Sequence, residues 1–439
     1  MNLKLRRLYF LIIVLFFALI APLLLYYTRG WRYDFETHEI TRTGSLSVTT
    51  RPSSATVYID GESVSETPLK ALRLAPGSYT VTVSKKGYIP REQSILIHGG
   101  EGTVLDDVNL FPESTTIDSV LDGHVRMFKE SSQKNLRVSI VENDTDDILY
   151  IQSVSSDQFT EYARYSAESV TEVLISPFAS SVAIARVQNG IKLYDIYDVQ
   201  THQKITLTQS SDTSLRILWD MQNDDLYVAE EQKLTHQRTG EHTELPPFSQ
   251  AVAVEGKQVL ILTQRETSTV LERRNFENMS AETNILLTDI PVQQQISVLL
   301  YSRSLIIENT AAHTIDLYER NGNQYDFAGH FIGVSSHQWD IKSNRLLVAS
   351  ENEITLVYLG QEPQTLIRSK NSIQSYVILP EKNSILYLSD GSVYAVDISH
   401  PESVITVITT QGSTIASDEN GKFLFIQEDQ HIQRIPLNM

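Results

Sequence analysis

Ile175-Ser176-Pro177-Phe178 stands seven residues ahead of Val182-Ala183-Ile184, and Ile191-Lys192-Leu193-Tyr194-Asp195 follows as a paired strand. In this pattern one apolar residue opens a short turn, and seven positions later a second opens a strand. The offset recurs down the chain. Trp219-Asp220 leads to Leu226-Tyr227-Val228, Val252 to Val259-Leu260-Ile261, and Val298 to Leu305-Ile306-Ile307. Trp339-Asp340 leads to Leu346-Leu347-Val348, Ile378 to Ile385-Leu386-Tyr387, and Ala416 to Phe423-Leu424-Phe425. An eighth copy runs from Val141 to Ile148-Leu149-Tyr150.

Successive openers stand 33 to 46 residues apart. A period near 40 with several short strands per unit is that of propeller blades, and is too long for the rungs of a β-helix. Residues 113–439 therefore read as a β-propeller of seven or eight blades, with six also open to copies this diverged. A pair of sandwiches or a linear array of strands is the alternative, but closure would remove the open edges that such a strand-rich chain exposes. The turns at Ile175-Ser176-Pro177 and Ser417-Asp418-Glu419-Asn420-Gly421-Lys422 resemble those of TolB-type blades, each keeping part of that pattern. The Trp-Asp pairs open a hairpin, whereas WD40 units carry theirs near a strand's end.

Upstream, apolar residues alternate with period two: Leu46 and Val48, Val57 and Ile59, then Tyr79, Val81 and Val83, then Ile95 and Ile97. Alternation marks strands with one buried face. A fifth strand over 104–110 closes a small β-sandwich over 44–112. Pro52-Ser53-Ser54-Ala55, Val57-Tyr58-Ile59-Asp60-Gly61, Thr67-Pro68-Leu69, Pro76-Gly77-Ser78-Tyr79 and Lys86-Gly87-Tyr88 occur here in order. This stretch resembles the PEGA domain, which implies an extracytoplasmic module for attachment or spacing and no catalysis. Ser54 and Ser65 stand where that family usually has glycine, so those turns either use other dihedrals or carry strain.

Residues 1–33 contain Lys4, Arg6, Arg7, Arg29 and Arg32 and no acid, a charge of +5. Between the basic clusters lie 20 uncharged residues, 8–27, opened by Leu8 and closed by Tyr27. That is the length needed to span about 30 Å of hydrocarbon. Tyr26, Tyr27, Trp31 and Tyr33 follow at headgroup level. The expectation is a transmembrane anchor, helix from Leu8 to Tyr27, with a cytoplasmic N-terminus, a polar stalk over 34–43 and an all-β ectodomain beyond. A cleaved signal peptide is the alternative. Its apolar region would be shorter, and the one small-residue pair, Ala18 and Ala21, lies mid-span before Pro22.

The 439 residues carry a net charge of −18, so the part beyond residue 33 carries −23. With no basic surface to displace phosphate counterions, nucleic acid is not an expected partner. The absence of cysteine excludes disulfides, Cys-ligated zinc, iron–sulfur clusters, thiol nucleophiles and lipidated cysteine. Nucleophile-elbow, zinc-helix, Walker and dinucleotide motifs are missing. Histidines are scattered, with His236/His242 and His330/His337 the nearest pairs. Asp144, Asp146 and Asp147, Asp224-Asp225 and Glu428-Asp429 read as solvated turns rather than Ca²⁺ loops. Trp219 and Trp339 read as core.

No catalytic, cofactor-binding or metal site is assigned from sequence. The expected function is a membrane-anchored, extracytoplasmic binding or scaffold protein whose partner is a protein, glycan or cell-wall polymer. A TolB-like accessory subunit of an envelope transport or assembly complex is the alternative. Less favoured is a propeller hydrolase using channel carboxylates.

Overall fold

The computed structural model describes residues 3–28, 31–33, 40–113, 116–131, 133, 135–153, 158–209, 215–265, 268–279, 284–290, 296–301, 303–322, 324–340, 343–418 and 420–437. It is nearly all β. A single α-helix among the described residues, Leu3–Thr28, stands near the N-terminus, and within it Tyr9–Thr28 is long and apolar enough to cross a membrane. Of the stretch read as a stalk, 34–39 lies outside the described residues, while Ile40–Arg42 pairs antiparallel with Trp31–Tyr33. The chain divides into two compact units: residues 1–115 with 402–407 and 438–439, and residues 116–401 with 408–437.

The first unit contains two sheets packed face to face. One has the order Leu69–Leu74, Gly44–Arg51, Gly102–Asn109; the other Glu62–Glu66, Thr56–Ile59, Gly77–Ser84, Arg91–Ile97. Leu46 and Val48 meet Val57, Val81, Ile95 and Ile97 in the core between them, because alternation sends every second side chain inward. Gly102–Asn109 pairs in parallel with Gly44–Arg51. There are seven strands rather than the five expected. Glu62–Glu66 escaped notice because all five of its residues are exposed, so no alternation is written into them. The two serines differ. Ser54 adopts φ +59°, the left-handed conformation that glycine takes without cost. Ser65 lies in an ordinary extended strand.

The second unit is a succession of four-stranded antiparallel sheets, eight among the described residues. Seven are continuous in sequence, with first strands His124–Glu130, Val170–Ile175, Leu215–Trp219, Ser249–Glu255, Ile296–Tyr301, Ser336–Asp340 and Ile373–Leu379. The eighth is composite: Thr414–Ser417, Phe423–Gln427 and His431–Pro436 receive Asp118–Asp122 as their outer strand. Second strands are near-continuous apolar runs buried throughout, as in Leu346–Leu347–Val348–Ala349 and Ile385–Leu386–Tyr387–Leu388. Burial on both faces means that sheets stack on sheets. Fourth strands such as Lys204–Thr208 face solvent.

Two open cavities lie among the first strands. One is bordered by first strands of the first, fifth, sixth, seventh and eighth sheets, the other by those of the second to fifth. Every first strand thus borders a central space, and the sheets radiate from it in a β-propeller-like fold.

The seven-residue offset is now explained by register. Ile175 pairs with Val182, Trp219 with Leu226, Trp339 with Leu346 and Ile378 with Ile385, each across the hairpin joining first to second strand. Three copies depart from this: Val298 pairs with Ile307 and Ala416 with Phe425, two residues beyond the expected partner, and Val252 falls in a bulge while Val254 pairs with Val259. The copy at Val141 is a correction. Val141 does pair with Ile148, but in the hairpin between second and third strands of its sheet. The innermost strand there is His124–Glu130, one element earlier.

Two stability outcomes follow from these placements. Ser54→Gly is expected to leave stability unchanged or raise it by up to about 1 kcal/mol, whereas the β-branched Ser54→Val should cost more than about 1 kcal/mol, read as shifts of the melting temperature. Equal melts for the two variants, measured by circular dichroism, would show that the turn is unstrained. Ile432 lies fully buried in the closing sheet against Leu121 and Phe425. Ile432→Ala should cost about 2–5 kcal/mol in a denaturant titration followed by tryptophan fluorescence, and a loss below about 1 kcal/mol would mean that the seam relaxes around the cavity.

Candidate interaction platform and central channel

The turns between first and second strands carry the side chains that tie sheet to sheet. After the apolar opener comes a buried polar residue: Ser176, Asp220, Asp340 or Ser417. Asp220 Oδ1 accepts from the backbone N–H of Gln222 in its own turn at 2.9 Å and of Gly256 in the next sheet at 2.8 Å. Asp340 accepts from Arg345 Nε at 2.9 Å, and the same guanidinium reaches Asn383 of the following sheet at 3.2 Å.

The densest such tie is Asp224. Its carboxylate accepts from Ser176 Oγ at 2.6 Å, Ser180 Oγ at 2.8 Å, and the N–H groups of Phe178 and Ser180. It therefore caps the whole Ser176–Ser180 turn of the preceding sheet. Asp224 itself has φ +60°, a conformation that Asp and Asn tolerate better than other side chains.

Of the acidic groups read from the sequence as solvated turns, Asp144 and Asp429 are exposed, but Asp147 and Asp224 are buried, a correction whose reason is that each accepts hydrogen bonds from a neighbouring sheet. Asp147 is fully buried, 2.5 Å from Arg126 Nη2, and accepts the Val170 N–H. Asp146 lies 3.9 Å from Arg164, and Asp144 is exposed. Asp225 faces His236 and Arg238 at 3.6 and 3.7 Å. Glu428 accepts from Thr410 and Gln433 and lies 3.1 Å from His431, while Asp429 lies 2.9 Å from His124. Among the described residues no group of three or more His, Asp or Glu side chains could hold a metal ion. His236 and His242 belong to different strands, as do His330 and His337.

The larger cavity, about 460 Å³, is walled by Phe128, Tyr301, Trp339 and Tyr376, with Ser336, Gln338, Gln374 and Thr414 among its polar groups. Trp339 is buried and stacks on Tyr301, centroids 4.8 Å apart, so one indole face is used internally. Burial, aided by Glu308, pushes the Tyr301 phenol up to about 12. Burial holds His337 below its usual value, opposed by Glu308 at 3.8 Å. Trp219, by contrast, is half-buried, and its buried indole N–H has no hydrogen-bond partner.

The second cavity, about 380 Å³, is lined by Leu174, Leu218, Val252, Ile296 and Val298 and holds one cation, Arg216. Sequence reading overlooked this residue, since an arginine in a strand ordinarily reads as facing solvent. It also overlooked Arg137, buried over the Phe425 ring at 3.9 Å and donating to the Ser417 carbonyl at 3.1 Å. Burial pushes the Arg137 pKa down, with Glu130 and Asp418 opposing.

Comparison with known proteins agrees with the first unit. The PEGA domain family matches residues 43–110. No curated protein matches the chain in sequence. Among solved structures, the chain is similar to one in the crystal structure of the mitotic checkpoint complex, at 12% identity over 74% of this chain and 94% of that one, TM-score 0.42. It is also similar to the Dos1 propeller, at 12% identity over 73% and 95%, TM-score 0.48. An uncharacterized protein from Listeria monocytogenes EGD-e matches at 10% identity over 68% and 98%, TM-score 0.44. These three scores lie below 0.5, and the propeller-like architecture rests on the sheets described above.

Asp224→Asn tests the capping role, since asparagine keeps the backbone conformation and loses the charge. It is expected to cost about 1–3 kcal/mol in a denaturant titration, because charge-assisted bonds to buried hydroxyl and N–H groups are weakened together. A change within about 0.5 kcal/mol would show the turn to be held by its backbone alone.

Proposed function

We propose that this protein is a single-pass membrane protein that carries an eight-bladed propeller outside the cytoplasm, joined to its anchor through a PEGA module. In this reading the propeller is a binding platform for a protein, glycan or cell-wall partner and performs no catalysis. The observation that carries the proposal is the condition of the N-terminal helix. Its large apolar side chains from Tyr9 through Phe17, and Leu19, Leu24, Leu25, Tyr26 and Tyr27, are all exposed. Burying each such side chain is worth roughly 1.5–3 kcal/mol, so together they favour transfer into an apolar phase by tens of kcal/mol. A bilayer supplies that phase for a segment of this length.

Lys4, Arg6 and Arg7 precede the span and support a cytoplasmic N-terminus. Everything after it then faces outward, in keeping with the PEGA resemblance. An acidic platform is suited to neutral or basic partners and repels polyanions.

The topology is checked by adding protease to intact cells. The chain is expected to stay with membranes through carbonate extraction and to lose its propeller to external protease. Release into the soluble fraction would identify a cleaved leader instead. A propeller protected until lysis would place it on the cytoplasmic side and overturn the proposal.

A further inference from the structure

We propose that Arg216 anchors a carboxylate-binding site in the central channel, and that its ligand carries the carboxylate on a short aliphatic body. Free branched-chain acids and peptide C-termini ending in an aliphatic residue share that chemistry. The inference goes beyond the platform reading and does not depend on membrane attachment.

Three observations converge. First, Arg216 lines the cavity of about 380 Å³, a volume within the usual range for small-ligand pockets. Second, no carboxylate among the described residues pairs with it. Its neighbour is the Gln250 amide, which lies against Nε, Nη1 and Nη2 and accepts from them only with its oxygen assigned to the side facing the guanidinium. One neutral oxygen cannot satisfy five N–H donors or the charge. Burial accordingly lowers the Arg216 pKa with no acid acting to restore it. Third, the nearby acids are engaged elsewhere. Glu172, which also lines the cavity, lies 4.0 Å from Lys192, Glu308 accepts from Ser297, and Asp195 is held by Arg186.

An arginine whose described neighbour is a neutral amide keeps an unneutralised charge in a partly desolvated site, which is costly. A ligand carboxylate would take two parallel N–H bonds in the bidentate geometry that guanidinium favours. The walls specify the rest. Leu174, Leu218, Val252, Ile296 and Val298 offer aliphatic surface. A single positive charge neutralises one negative charge, and Glu172 in the same lining disfavours a dianion such as phosphate.

The test uses the full-length chain in non-ionic detergent and follows phenylglyoxal modification of each arginine by peptide mass spectrometry. The exposed Arg238 and Arg303 serve as internal references. N-acetyl-leucine at saturation is expected to slow modification of Arg216 about tenfold while the references are unchanged, and N-acetyl-leucine amide should have no effect. A leucine-terminated tripeptide protecting at lower concentration than N-acetyl-leucine assigns the site to a chain terminus; the reverse assigns it to a free acid. Equal protection by acid and amide, protection of all arginines alike, stronger protection by inorganic phosphate, or no protection would each overturn the proposal. Calorimetric titration of Arg216→Gln with the better of the two ligands should show binding weakened at least about tenfold, and unchanged binding would also overturn it.

Discussion

The second unit depends on one non-local pairing. Asp118–Asp122 adds to His431–Pro436, joining the start of the unit to its end. Without it the outer edge of the eighth sheet lies open, and so does the gap through which the first and last sheets would separate. Closing a loop of more than 300 residues costs roughly 5 kcal/mol of chain entropy. Local interactions at the seam offset this. Leu121, Val125, Phe128, Val141, Ala416, Phe425 and Ile432 form one buried cluster there, drawn from both ends of the unit. The Val125 carbonyl accepts from Gln427 Nε2, the Gly123 N–H donates to the Gln430 carbonyl, and Arg137 lies over Phe425 while donating to Ser417. The seam is therefore held by apolar burial and directed hydrogen bonds together, whereas each remaining sheet needs only hairpins local in sequence.

Closure brings the turns between first and second strands into a ring, and this explains the fate of the acids. A turn pressed against a neighbouring sheet leaves backbone N–H groups away from water, and each needs an acceptor. A short carboxylate supplies two oxygens at the required reach. Asp220 and Asp224 meet such groups in neighbouring sheets, on either side of their own. Asp147 and Asp224, read from the sequence as solvated turns, are instead consumed as caps, and a cation there would have to displace hydrogen bonds already formed.

What the sequence revealed follows from how far each feature is local. The seven-residue offset was readable because hairpin length fixes which residues face one another, as in Trp339 and Leu346. The same rule produced the error at Val141, since a second hairpin in the first sheet has an identical offset and period alone cannot rank hairpins within a sheet. Glu62–Glu66 was invisible for want of a buried face. Asp118–Asp122 was invisible for a different reason: its partner lies at the far end of the chain. Trp339 behaved as the core residue its register implied, whereas Trp219 at the equivalent position is only half-buried. Equivalent registers thus do not give equivalent environments once the copies have diverged.

That divergence bears on the channel. If all copies were alike, the centre of the ring would be lined by repeated groups. Instead, the two cavities differ in kind. One is walled largely by aromatic rings and polar groups; the other is largely aliphatic, with the Arg216 guanidinium and the Glu172 carboxylate among its lining. The guanidinium in the second cavity is a cation in a chain that carries −18 as a whole, and Glu172 lines the same cavity. Long-range attraction toward an anion is consequently weak, because the surrounding acids oppose its approach. Any selectivity for a carboxylate must arise at short range, from bidentate geometry and from the aliphatic walls that replace water around it. A site of that kind discriminates by shape and by the number of charges rather than by charge alone, so a monoanion with an apolar body is a better match than a more highly charged ligand.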